Sequence, residues 1–108
     1  MSAIPDVITR YLQAADEKDF EALAGCFAEH GSVVDEGETH VGRDAIRRWR
    51  EGTVAQWTYT TTVTGAEQVA DDRYDVAIHL EGNFPGGEVD LTQTFVVGGG
   101  LIRRLVIQ

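Results

Sequence analysis

The chain is poor in cysteine, in positive charge and in long apolar runs. Cys26 is its one cysteine, so an internal disulfide and a zinc site built on cysteines are both excluded. Its apolar runs fall far short of the roughly 20 residues that a membrane-spanning helix needs. The opening MSAIPDVITRY has no basic start followed by an apolar stretch, unlike a secretory signal. Nine Lys and Arg stand against eighteen Asp and Glu, a formal charge of −9. Nucleic acid and anionic membranes call for a basic face, and the only short one runs through Arg43, Arg47, Arg48 and Arg50. His30, His40 and His79 are spaced to no metal motif. The expectation is a cytoplasmic protein with no metal, no cofactor, no nucleic-acid partner and no membrane partner.

What is present is ordinary for a globular protein, with 43% hydrophobic residues. A chain of 108 residues can build one core and one pocket, so residues 1–108 are expected to form one domain. Ile4, Val7, Ile8, Tyr11, Leu12 and Ala15 recur at helical spacing and predict a first helix, with Pro5 in its first turn. Asp19 is a suitable N-cap for a short second helix whose apolar face is Phe20, Leu23, Ala24 and Phe27, with Cys26 a small buried hydrophobe beside it. Ser32–Asp35 reads as a strand, Glu36-Gly37 as a turn and Thr39–Val41 as a return strand. Gly42 to Gly52 predicts a third helix with Ala45, Ile46 and Trp49 inward and Arg43, Arg47 and Arg50 largely outward.

Alternation of period two takes over after Gly52. Ala55–Thr64 reads as a strand with Trp57, Tyr59, Thr61 and Val63 on one face; Tyr74, Val76, Ile78 and Leu80 share another, and then Val89, Leu91, Gln93 and Phe95. Asn83–Gly87 and Gly98–Gly100 are turns, and Leu101–Ile107 is the last strand. Three helices followed by a strand meander give an α+β fold, with a hollow between the helices and a strongly curved, mainly antiparallel sheet.

The segments ITRYLQAADEKDFEALAGCFAEHGSVVDEGETHVGRDAIRRW and TQTFVVGGGLIRRLVI resemble the nuclear-transport-factor-2-like superfamily, closest to its SnoaL-like and ketosteroid-isomerase-like subgroups. The resemblance implies a cone-shaped fold with an internal pocket. It also implies enolate chemistry, in which an Asp takes a proton beside a carbonyl while a Tyr and a protonated Asp hold the oxyanion. Carried over by motif, the base falls on Asp35 and the Tyr on Tyr11, while the oxyanion Asp is replaced by Gln93. Phe27, Trp49, Trp57, Tyr59, Ile78, Leu80 and Phe95 are expected to hold an apolar, carbonyl-bearing molecule. The activity implied is isomerase, cyclase or dehydratase; the alternative is a non-catalytic ligand-binding or association module, since this superfold hosts both.

Of the histidines, His40 is the one candidate for a dehydratase-like site. The opposite sheet face carries Thr58, Thr60, Thr62, Ala77, His79, Thr92, Thr94 and Val96. It is neutral and β-branched for a solvated surface, and in this superfamily such a face often pairs with a second copy, so a homodimer is expected.

Overall fold

The computed structural model describes residues 4–108. Helix α1 (Asp6–Glu17) buries Val7, Ile8, Tyr11 and Ala14 as one stripe, and Lys18 ends it in the left-handed conformation. Asp19 then caps α2 (Phe20–Gly25), its Oδ1 accepting from the Ala22 N–H at 3.1 Å. Strand β1 (Phe27–Asp35) turns back through β2 (Glu38–Val41) into α3 (Arg43–Gln56). Four strands follow: β3 (Tyr59–Ala70), β4 (Arg73–Gly82), β5 (Glu88–Gly98) and β6 (Leu101–Ile107). The three helices pack on one face of a curved six-stranded sheet ordered β2-β1-β6-β5-β4-β3. Among the described residues only the β1–β6 pair is parallel. No helix among the described residues is long and apolar enough to cross a membrane.

Three boundaries differ from the sequence reading, each for a local reason. Phe27 opens β1 instead of completing α2: the Ile102 N–H bonds to Cys26 O at 2.9 Å and Phe27 pairs with Ile102, so the sheet claims the chain there. Gly52 does not end α3, which continues for another turn. Inside a helix a glycine costs about 1 kcal/mol relative to alanine, and here the Thr53 hydroxyl bonds to Trp49 O at 3.0 Å over the same turn. Strand β3 starts at Tyr59 and extends past Thr64 to Ala70, paired with β4 along its length. Residues 62–70 are exposed throughout, so ladder hydrogen bonds hold this stretch and no burial pattern marks it.

The hairpin between β4 and β5 is pinned to the start of β3. The Asn83 N–H donates to Thr58 O at 3.0 Å, and the Thr58 N–H donates to Asn83 Oδ1 at 2.8 Å. Gly82 permits this approach: a Cβ there would lie 2.3 Å from Thr58 O and 2.5 Å from the Tyr59 Cβ. On the outer face, strand register sets His79 opposite Asp90 and Glu81 opposite Glu88. His79 Nδ1 lies 2.7 Å from Asp90 Oδ1, and Nε2 lies 3.1 Å from Glu88 Oε1 and 3.3 Å from Glu81 Oε1. The hydrogen bond to Asp90 is the main reason the imidazole pKa is raised from 6.5; desolvation opposes it, and the charges of Asp90 and Glu81 add to it.

These contacts lead to two expected outcomes. Gly82→Ala should lower unfolding stability by about 1–3 kcal/mol, the usual cost of forcing an extra group into a packed site. Gly65→Ala, whose Cβ would meet only the Ala77 Cβ at 4.0 Å, should stay near wild type; urea unfolding of both variants checks the contrast. For His79, a raised folded-state pKa means its stabilising effect is complete below about pH 6.5 and is lost as pH rises through the folded value. NMR titration should find its midpoint above that of an unperturbed histidine, and Asp90→Asn should bring it down.

Candidate functional site

The curved sheet sends alternate side chains toward the helices, and the space between is a cavity of about 950 Å³. Thr61, Val63, Ile78, Leu80, Val89 and Leu91 form its apolar floor, and Trp57, Tyr59, Phe84 and Pro85 contribute ring and turn surfaces. Tyr11 from α1, Asp35 from the end of β1, Arg50 from α3 and Gln93 from β5 bring polar groups to the same space. The three residues singled out as an acid–base set therefore line one cavity, although they come from three separate elements.

Tyr11 is held by its ring. It meets Phe27 edge-on at 5.7 Å between centroids and Phe95 at 5.5 Å. Its buried hydroxyl has no hydrogen-bond partner among the described residues. Burial pushes its pKa up to about 12, with the Arg50 charge working the other way, so the hydroxyl remains a proton donor through the physiological range. Gln93 is 4% exposed, and its buried Oε1 likewise has no partner among the described residues. Both atoms are themselves buried, on residues that line the cavity, and a buried polar atom without a protein partner calls for a ligand group, a water or a side-chain shift to complete it.

Asp35 is oriented from behind. The Trp49 indole N–H donates to Asp35 Oδ2 at 3.1 Å, tying α3 to the end of β1. No backbone N–H of the Glu36-Gly37 turn donates to this carboxylate among the described residues. His40 lies against Trp49, with ring centroids 6.0 Å apart, and is not part of the cavity wall.

The expected apolar wall divides into two groups. Trp57, Tyr59, Ile78 and Leu80 line the cavity. Phe27, Trp49 and Phe95 do not; Phe27 and Phe95 are fully buried on either side of the Tyr11 ring, and Trp49 stands behind Asp35. Alternation assigned these side chains to the inner side of the molecule, but it cannot separate a core position from a cavity position on that side.

Arg50 corrects the sequence reading most sharply. Expected to face outward with Arg43 and Arg47, it is 8% exposed and lines the cavity. Ile46, Trp49, Arg50 and Thr53 follow an i, i+3, i+4, i+7 stripe, which was the available signal. Arg43 is occupied elsewhere, its Nε donating to Phe27 O at 2.9 Å. A further grouping invisible to sequence spacing lies on the outer face: His79, Glu81 and Glu88 are the one set of three metal-capable side chains found among the described residues, with ligand atoms within 4.8 Å of one another.

The model of the SnoaL-like domain matches residues 1–100. A candidate polyketide cyclase from Sinorhizobium meliloti shares 35% identity over 97% of this chain and 95% of its own, with a TM-score of 0.92. A hypothetical protein of ketosteroid-isomerase-like fold from Catenulispora acidiphila, in complex with trimethylamine, shares 25% identity over 98% of this chain and 86% of its own, at a TM-score of 0.87. A Mycobacterium tuberculosis protein in complex with estradiol-17β-hemisuccinate shares the fold at a TM-score of 0.78 and 18% identity, over 94% of this chain and 88% of its own. None of the curated protein sequences matches. Family match, sheet order and helix placement agree: the chain belongs to the SnoaL-like family, within the nuclear-transport-factor-2-like superfamily.

Proposed function

We propose that this chain is a small cofactor-free enzyme that moves a proton next to the carbonyl of an apolar substrate. The observation that carries the reading is the convergence of Asp35, Tyr11 and Gln93 on one largely apolar cavity, with the Tyr11 hydroxyl and the Gln93 Oε1 both unpartnered among the described residues. The candidate cyclase and the ketosteroid-isomerase-like relative support the same class of chemistry. The steroid ester bound by the more distant Mycobacterium protein supports an apolar ring system as ligand.

In this mechanism Asp35, aimed by the Trp49 N–H, takes the proton from carbon and later returns it. Tyr11, kept neutral by burial, donates to the oxygen on which negative charge develops. The Gln93 amide stands where the family has a carboxylic acid and supplies a second donor through its Nε2 N–H, weaker because an amide N–H is less acidic; its unpartnered Oε1 is an acceptor and takes no part in holding the oxyanion. Isomerisation, cyclisation and dehydration share this enolate step. The second reading, a ligand-binding module without turnover, draws on the Trp49 bond, which occupies one oxygen of the base.

The same proposal includes a homodimer through the outer sheet face, where Ala77 pairs with Gly65 and Thr92 near the middle of the β3-β4-β5 ladder. Burial of about 1,200–2,000 Å² in total would suit such an interface.

Two experiments test these readings. Hydrogen–deuterium exchange next to the carbonyl of 2-tetralone, followed by NMR in D2O, reads enolisation even while the natural substrate is unidentified. The wild type should accelerate it; Asp35→Asn should slow catalysed exchange by about 10²-fold or more, and Tyr11→Phe by about 10²–10³-fold. Full activity in Asp35→Asn would overturn the assignment of the base, and a wild type that binds 2-tetralone without accelerating exchange would favour the module. For the dimer, light scattering at micromolar concentration should report two copies for the wild type and one for Ala77→Glu, because a desolvated charge without a partner is costly. A monomeric wild type would remove the interface.

A further inference from the structure

Arg50 carries a buried positive charge with no counter-ion within 4.0 Å among the described residues. Its side chain stands on the inner stripe of α3, 8% exposed, and its Nε has no hydrogen-bond partner among the described residues. No carboxylate of the described residues lies within 4.0 Å of the guanidinium. Its central carbon lies 5.5 Å from the Trp49 ring centroid and 5.6 Å from that of Tyr59, so two aromatic rings hold the group in place.

Other charged side chains share its surroundings at longer range. Asp16, Asp35 and Glu36 all line the cavity, and Asp35 is already engaged by Trp49. Asp16 and Lys18 border a small side recess of about 30 Å³ that Arg50 also lines. The field of Arg50 reaches the hydroxyls of Tyr11 and Tyr59, favouring the anionic form of each. A buried cation without a partner is costly, which makes it unsuited to a purely structural role. The guanidinium fork matches a planar oxyanion in geometry, and its hydrogen bonds to a charged acceptor are strong.

We infer that Arg50 is an anion receptor and that the natural ligand is an apolar acid, its carboxylate on Arg50 and its hydrophobic body over the sheet. This rests on the reading of the cavity as a ligand site and narrows the ligand class. The apolar floor of Thr61, Val63, Ile78, Leu80 and Leu91 lies in the same cavity as the guanidinium, so one molecule can engage both. Arg50 binds and positions the ligand, while the proton transfer stays with Asp35.

The test is calorimetric titration of the full chain at pH 7 with 1-naphthaleneacetate and with 1-naphthaleneacetamide, which share a ring system and differ in charge. The acid should bind at least tenfold more tightly than the amide, and the preference should persist in 0.5 M NaCl because a buried charge is weakly screened. Arg50→Gln should abolish the preference while retaining amide binding, and Arg50→Lys should keep part of it. Equal affinity for the two compounds in the wild type overturns the inference without needing any variant, and leaves the apolar cavity and its enolisation test standing. A preference that vanishes with salt, or survives in Arg50→Gln, overturns it as well and assigns the anion to surface charge. Failure of both compounds to bind at millimolar concentration overturns the inference together with the ligand-site reading.

Discussion

A strand can send only every second side chain to the same side of a sheet, and here one side is closed off by three helices. Almost everything about the cavity depends on that constraint. Val89, Leu91, Gln93 and Phe95 must share a face whatever their chemistry, so an amide enters an apolar space because its neighbours two residues away do. Phe95 belongs to the core, packed against the Tyr11 ring of α1, while Gln93 two residues earlier on the same face is buried in the cavity wall. The strand supplies an uninterrupted row across the boundary between core and cavity.

The polar groups within that space differ in how they are supported. Asp35 is steered by an indole behind it, and Tyr11 is clamped by two rings while its hydroxyl is left unbonded. Arg50 is held between rings with no anion beside it among the described residues. Apolar packing thus fixes positions while the Tyr11 hydroxyl and the Arg50 Nε are left without a hydrogen-bond partner among the described residues, which is a local cost in stability.

The fold was legible because its evidence is repetitive. The stripe from Ile4 to Ala15 and the alternations around Tyr59, Ile78 and Leu91 each rest on several residues, so a boundary error at Phe27 or Gly52 leaves the architecture intact. That Asp35, Tyr11 and Gln93 meet in one cavity was legible only with the family pattern added, because nothing in spacing joins a helix residue to strand residues far along the chain. Arg50 was missed since an arginine among four in eight residues reads as a solvated face; its burial depends on Tyr59, which arrives from another element. The His79 grouping needed the register between β4 and β5, and no count of residues between its members predicts that register.

The place of β6 in the sheet has a consequence for synthesis. This strand, made after the other five, lies between β1 and β5 and joins them within the sheet of the described residues. Before Leu101–Ile107 emerges, the β1-β2 hairpin with its helices and the β3-β4-β5 meander each present an open edge, with Val33 and Phe95 denied their shared neighbour Leu105. Such edges invite pairing with other chains, and joining them requires contact between residues far apart in sequence, which is slow. The nascent chain therefore has no partially built cavity to offer: both halves of the site wait on the same seven residues, and a chain interrupted before them is a candidate for aggregation rather than a weaker version of the protein.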